Sequence, residues 1–264
     1  MAKYKGNKSR YANKILNAIM ADLNNKGLSD EYIINNMCFV DLFCGGANMV
    51  KKVPFKNRIA NDINTYMIAY LSRLQTEGAD WLLEPFYWNI TQEIYEIFRQ
   101  SIKNRMDTFS HACLGHIGAN FSYGSNFFAG YNKDTKQTPQ TLARSAYKHA
   151  QEDYELLQGV KLLNLDYRQV PIPPKSIVYC DIPYEGTSQY FDTKFSIKEF
   201  LEFTKQLLLQ GHYVYFSEYS KPLIKIEGLK VSELINYPVP KLFGNGVKSS
   251  NHISNRNSTM KEVA

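Results

Sequence analysis

Read for period alone, the chain alternates between two kinds of apolar segment. Short continuous runs, Cys38-Phe-Val-Asp-Leu-Phe43 and Ser176-Ile-Val-Tyr-Cys180, are too brief for helices and predict strands buried on both faces. Residues 58–61 and 212–216 read the same way, and 229–235 as a further strand. Between them lie longer segments of helical period. Residues 9–25 set Ile15, Leu16 and Ile19 on one side and stop at Gly27. Asn64 is placed to cap a helix running to Glu77, closed by Gly78. Residues 91–105 and 138–158 predict two more; the second opens on Thr138-Pro139 and ends at Gly159. Ser196-Ile-Lys-Glu199 has capping-box spacing ahead of a helix ending at Gly211.

Strand, glycine turn and helix in repetition imply a parallel α/β sheet. Residues 79–158 break that rhythm with helix and loop only. The expected organisation is therefore one α/β domain from residues 1–78 and 159–264, with 79–158 as an inserted, mainly helical domain. The 264 residues suit this plan. Residues 244–259, rich in Gly, Asn and Ser, read as a long loop.

Charge adds a hint of a polyanionic partner. The formal net charge is +6, and it gathers at the ends: Lys3, Lys5, Lys8, Arg10, Lys14 and Lys26 face only Asp22, and Lys241, Lys248, Arg256 and Lys261 face only Glu262. No apolar run approaches membrane-spanning length and the first residues carry no apolar stretch, so neither a span nor a secretory signal is expected. Cys38, Cys44, Cys113 and Cys180 are irregularly spaced, which disfavours a zinc site or a disulfide framework and suits a cytoplasmic protein.

Two short segments carry candidate chemistry. Asp41-Leu-Phe-Cys-Gly-Gly46 ends the first strand, and its glycines let backbone approach a ligand closely. Asp62 ends the second strand about twenty residues on, where an acid can accept hydrogen bonds from ribose. The Gly-x-Gly-x-x-Gly pattern of dinucleotide binders is absent; a plain tight turn beside a surface Asp fits the same residues. Asp181-Ile-Pro-Tyr184 follows the strand 176–180 directly, at the carboxyl end where α/β sheets bind ligands. It offers an acceptor carboxylate, a turn stiffened by Pro183 and a flat ring at Tyr184, which suits a reaction at an exocyclic amine. An ordinary strand-to-loop turn has the same composition.

Taken together, the motifs carry a resemblance. Phe39-Val-Asp-Leu-Phe-Cys-Gly-Gly46 and Tyr179-Cys-Asp-Ile-Pro-Tyr-Glu-Gly-Thr187 resemble the DNA adenine methylase family. So do Tyr4-Lys-Gly-Asn-Lys-Ser-Arg10, upstream of the first strand, and Asn164-Leu-Asp-Tyr-Arg168, before the catalytic one. The four come in the family's order across residues 4–235. The resemblance implies a Rossmann-like class I methyltransferase sheet, S-adenosylmethionine as cofactor, double-stranded DNA as partner, no metal, and a monomer or weak dimer. It implies that 79–158 is the target-recognition domain.

By the same resemblance, Tyr4, Lys8, Asp41, Phe43, Gly45, Gly46, Asp62, Asp166, Tyr167 and Asp181 line the cofactor. Of these, Lys8 serves the methionine end, Asp62 the ribose and Asp166 the cofactor's adenine amine. Asp181, with the main-chain carbonyl of Ile182, binds the target N6, Pro183 stiffens the turn, and Tyr184 stacks the flipped adenine. Two positions depart from the family: Ile182 where Pro is usual, and Ala47 where a further glycine is common.

Within 79–158, Gly118-Ala-Asn-Phe-Ser-Tyr-Gly-Ser-Asn-Phe-Phe-Ala-Gly-Tyr131 mixes aromatics with small polar residues. It reads as a base-contacting or wedge loop, with Asn120, Tyr123 and Asn126 as contacts. Arg99, Lys103, Arg105, Lys133 and Lys136 are the candidate phosphate contacts. A helical cap packing its own small core is the competing reading. His111, His116 and His149 are assigned to core or solvent. A cytosine C5 enzyme is disfavoured because none of the four cysteines follows a Pro, and an N4 enzyme because its tetrapeptide usually begins with Ser. An RNA amino-methyltransferase and an inactive DNA-binding relative remain as alternatives.

Overall fold

The computed structural model describes residues 11–133, 138–182, 195–218, 231–235 and 241–245. Two helices, α1 (Ala12–Asn25) and α2 (Asp30–Asn36), lead into β1 (Cys38–Asp41), followed by β2 (Asn57–Asn61) and α3 (Thr65–Glu77). Then come α4 (Gln92–Lys103), α5 (His111–Asn120) and α6 (Pro139–Leu157). The chain returns through β3 (Val160–Leu163), β4 (Ile177–Cys180), α7 (Ile197–Leu209), β5 (Tyr213–Glu218), β6 (Val231–Ile235) and β7 (Lys241–Asn245).

The seven strands form one sheet in the order β3-β2-β1-β4-β5-β7-β6. β3 through β5 pair in parallel, and β7 runs antiparallel between β5 and β6. Order 3-2-1-4-5 is that of the Rossmann class, with a reversal between β1 and β4. A parallel sheet must be covered on both faces, and the core divides accordingly. Phe39, Ile177, Tyr179 and Tyr215 point to the side of α1, α2 and α3. Cys38, Val40, Val178, Cys180, Val214 and Phe216 point to the side of α7, against Phe200 and Leu207.

Most predicted helix ends hold. Asn64 caps α3 through the amides of Tyr66 and Met67, and Gly78 ends it at φ 77°. Thr138 and Thr141 cap α6 reciprocally, with Pro139 in the first turn. At α7 only half of the expected box forms: Ser196 accepts from the Glu199 amide, while the Glu199 carboxylate turns to Arg168. Four elements escape the sequence reading. One is β7, whose last two residues fall in the expected loop 244–259. α5 carries Gly115 and Gly118 and is buried from Ala112 to Asn120, so it shows no amphipathic stripe. β3 is a four-residue edge strand, and α2 spans only seven residues.

The helices of 79–158 do not stand apart. Tyr87, Tyr95, Phe98, Ile117 and Phe121 belong to the same buried cluster as Phe39 and Tyr179. Gly115 makes this possible by bringing α5 onto the backbone of α3: a Cβ there would sit 2.0 Å from the Tyr66 carbonyl oxygen. A second link is ionic. Lys51, just after the first-strand turn, meets Asp153 of α6 at 2.7 Å, with both side chains fully buried.

Gly115→Ala should force α3 and α5 apart. Overpacking of this kind costs about 1–3 kcal/mol, and contact with rigid backbone puts the variant at the upper end. Chemical denaturation checks it; an unchanged midpoint contradicts the close approach.

Candidate active site

The site grows from the carboxyl ends of β2, β1, β4 and β5, side by side in that order. Asp41 is the last residue of β1 and pairs with Tyr179 of β4. Asp181 follows the end of β4, on the same face as Tyr179 by strand alternation. The cleft between β1 and β4 is the switch point of the sheet, where ligands of open α/β folds bind.

The glycine turn after β1 is tied down by its neighbours. The Leu42 amide donates to the Tyr179 carbonyl at 3.0 Å, and the Cys44 amide to the Asn61 carbonyl at 2.8 Å. The Gly45 amide donates to Asp62 Oδ2 at 2.7 Å, and the Asn64 amide to Asp62 Oδ1 at 2.8 Å. Asp62 therefore anchors the turn to the end of β2. A carboxylate offers about four acceptor sites, so two amides leave it capacity for a ligand. Gly45 and Ala47 both take left-handed backbone, at φ 49° and 56°. For Ala47, where the sequence departs from the family, that conformation costs about 1–2 kcal/mol.

Three carboxylates thus lie close together. Burial holds the Asp41 carboxyl well above the usual carboxylate range, and the charges of Asp181 and Asp62 push it further, against the pull of the Phe43 and Val50 amides. Burial also raises Asp62, opposed by the amides of Asn64 and Gly45. Asp41 Oδ1 is buried without a hydrogen-bond partner. An orphaned acceptor in a field of like charge is a place for a cationic group carrying hydrogens, such as an ammonium beside a sulfonium.

On the opposite face, Phe43 and Tyr167 pack together, ring centres 5.4 Å apart, among Phe195 and Phe200. Ile182 is buried in that same cluster. Asp166 caps the turn 167–169 and binds Arg168 through both oxygens, at 2.8 Å each. The Arg168 side chain, hydrogen-bonded to it, holds the Asp166 carboxyl below its ordinary value. Arg168 reaches on to Glu199 at 2.8 Å. Gly45, Asp41, Asp62 and Asp181 are therefore brought together, whereas Asp166 is engaged by Arg168. Tyr4, Lys8, Pro183, Tyr184 and Lys136 lie outside the described residues.

The DNA-side candidates divide. Tyr123 is 69% exposed on a short hairpin in which Ser122 bridges Tyr131. Ser122 Oγ anchors that hairpin, donating to the Gly118 carbonyl at 2.7 Å and accepting from the Phe128 amide and the Tyr95 hydroxyl. Lys103, Arg105 and Lys133 are exposed and Asn126 is half-buried. Arg99 lies beside Glu96 at 3.1 Å. Asn120 is buried at the end of α5, and its amide donates to the His116 carbonyl; it reaches no surface here. His116 sits among Tyr70, Trp81, Tyr87 and Phe121, and burial pushes it down to about 3.

Sequence reasoning overlooked two residues. Asn61, fully buried, donates to the Leu42 and Leu165 carbonyls at 3.2 and 3.0 Å and accepts from the Leu165 amide at 3.0 Å. It ties the glycine turn to the segment that leads into Asp166. Ser217 of β5 donates to Asp181 Oδ1 at 3.0 Å. The signal for Asn61 was its place beside Asp62; for Ser217 only strand register reveals it. Among the described residues no cluster of His, Cys, Asp and Glu could hold a metal, and no helix is long and apolar enough to cross a membrane.

A family model described as D12 class N6 adenine-specific DNA methyltransferase matches residues 4–224. No curated protein matches the chain. Two solved structures of the rRNA methyltransferase aviRa from Streptomyces viridochromogenes are similar to it. One is 11% identical, covering 90% of this chain and 84% of its own, with a TM-score of 0.41. The other is 12% identical, covering 92% and 86%, with a TM-score of 0.42.

Because Asp41 is raised in the folded state, its ionisation opposes folding. That cost is absent below about pH 4, the ordinary carboxylate value, and grows as pH climbs toward the folded value. Asp41→Asn should therefore raise the denaturation midpoint at pH 7.5 more than at pH 4. It should also weaken both S-adenosylmethionine and S-adenosylhomocysteine in calorimetry, since both carry the same ammonium; unchanged affinities contradict a cation site.

Proposed function

The chain belongs to the D12 class of N6 adenine-specific DNA methyltransferases, and on that premise we propose which of its residues carry the reaction. S-Adenosylmethionine, when bound, supplies an electrophilic methyl group on a sulfonium. The residues that would hold it are those at the switch point. Asp41 and the glycine turn at Gly45 and Gly46 take the methionine end, with Lys8 and Tyr4 from the N-terminal motif. Asp62 accepts from the ribose. Phe43 and Tyr167 form the apolar wall toward the cofactor's adenine, with Asp166 at its edge.

The adenine amine is a poor nucleophile because its lone pair is delocalised into the ring. Asp181 and the Ile182 carbonyl accept its two hydrogens, which favours a pyramidal nitrogen and localises the pair. That Ile stands where Pro is usual leaves the carbonyl acceptor in place. Pro183 stiffens the turn and Tyr184 stacks the extruded base. Extrusion costs a few kcal/mol, and stacking on an aromatic ring returns about 1–3 kcal/mol. Charge on the sulfonium is dissipated in the transition state, so positioning supplies much of the rate.

We assign target recognition to residues 79–158. Tyr123, exposed on its anchored hairpin, is the wedge into the stack. Lys103, Arg105 and Lys133 are phosphate contacts, joined by Lys136 and, once Glu96 releases it, Arg99; Asn126 is a base contact. Asn120, buried at the end of α5, is not part of that surface. The protein acts as a monomer or weak dimer, in the cytoplasm, on double-stranded DNA. The observation that carries the reading is the convergence of Asp41, Asp62 and Asp181 at the switch point of the sheet.

With labelled S-adenosylmethionine and duplex DNA, label is expected on adenine N6. Asp181→Ala should lower the rate by about 10²–10³, as loss of a preorganised polar contact does, while S-adenosylhomocysteine still binds. No transfer to any DNA by a cofactor-binding protein refutes the reading. Tyr123→Ala should raise KM for DNA by roughly 5- to 150-fold, at about 1–3 kcal/mol for a lost stacking contact, and leave cofactor affinity unchanged. A variant with wild-type KM removes Tyr123 as the wedge.

A further inference from the structure

Asp181 lies one residue past the end of β4, half-buried, where the ladder no longer fixes its backbone. The torsion that swings an Asp carboxylate is broad, so something must set the plane of this one. The β4–β5 register supplies it. Tyr179 pairs with Tyr215 and Cys180 with Phe216, so the next step of the ladder sets position 217 beside 181. Ser217 Oγ donates to Asp181 Oδ1 at 3.0 Å. Behind it, the Tyr179 hydroxyl lies 3.0 Å from Ser217 Oγ. A carboxylate only accepts, so Ser217 gives it its proton and in turn accepts from Tyr179.

We propose that Tyr179 and Ser217 form a buried hydroxyl chain that positions Asp181 for the target amine. Both residues are buried almost completely. Their neighbours on the same face of β1, β4 and β5, Phe39, Ile177 and Tyr215, are apolar or aromatic, and an aliphatic residue at 217 would suit that face. A buried hydroxyl is costly unless bonded, and this one spends its proton on the carboxylate. Each bond in such a chain polarises the next. Holding Oδ1 from a central strand fixes the carboxylate plane relative to Asp41 across the cleft. Ser217 is thus a positioning residue, acting through Asp181, and the inference rests on the reading that Asp181 receives the N6 amine.

The test measures single-turnover methylation of duplex DNA by the full chain, alongside S-adenosylhomocysteine affinity and thermal melting. Ser217→Ala is expected to slow methyl transfer by about 10- to 100-fold, the scale of a small misplacement of a reacting group, with KM for DNA, cofactor affinity and melting temperature unchanged. Ser217→Cys keeps the volume with a weaker donor and should fall between the two. Tyr179→Phe should show a smaller loss of the same kind. In an Asp181→Asn background, Ser217→Ala should cost nothing more, because coupled residues are not additive.

Wild-type rates in both Ser217→Ala and Tyr179→Phe, beside a crippled Asp181→Ala, overturn the hydroxyl chain alone. A loss spread equally over rate, cofactor affinity and melting overturns it as well, since that is a core defect. Should Ser217→Ala fail to fold, Ser217→Cys and Tyr179→Phe decide by the same criteria. Full activity in Asp181→Ala instead refutes the underlying reading, whatever Ser217 does.

Discussion

Where β1 and β4 pair in parallel, the backbone ladder fixes both the face and the height of every residue on either strand. Asp41 and Asp181 cannot choose their positions: alternation turns them to the side of Phe39 and Tyr179, and both emerge at the carboxyl edge. The same ladder carried into β5 brings Ser217 alongside, and carried into β2 brings Asp62. Acidic groups are driven together although none gains from the company. Amides of the glycine turn and of residue 64 repay part of that cost; the remainder is stored as an appetite for positive charge. The placement of these carboxylates follows from sheet pairing.

The parts legible in sequence were those whose cause is local. β1 and β4 showed as short apolar runs, α3 and α6 through their caps and closing glycines, Asp41 and Asp181 through their place just beyond strands. The parts that escaped depend on partners far along the chain. α5 looks unlike a helix because its glycines serve close approach and its surroundings bury every side. β7 enters the sheet between β5 and β6, an order no local pattern announces, and its last residues read as the start of a loop. Asn120 looked like a loop residue because Gly118 and Ser122 flank it, yet α5 runs on to include it. Ser217 and Asn61 act only across strands, so nothing within a few residues of either marks them.

A buried polar seam runs parallel to the apolar core. Asn61 stitches the first-strand turn to the approach to Asp166, Asn164 ties its own loop to the Asp62 carbonyl at 2.8 Å, and Tyr215 reaches Asp22 of α1 at 2.7 Å. Each bond crosses between elements that apolar contact alone would leave free to slide. Such networks contribute more to a single arrangement than to net stability, which suits a site whose parts come from four strands.

The Lys51–Asp153 pair bears on how such a protein can change over generations. It joins the segment behind the glycine turn to α6, and neither charge meets water. A buried cation stripped of its counter-ion costs about 3–5 kcal/mol, much of a domain's margin. Recombination that brought in residues 79–158 from a relative with a different side chain at 153 would fail unless position 51 came with it. The helical segment is thus no free cassette: its exposed hairpin can vary, while its inner face is inherited jointly with the sheet.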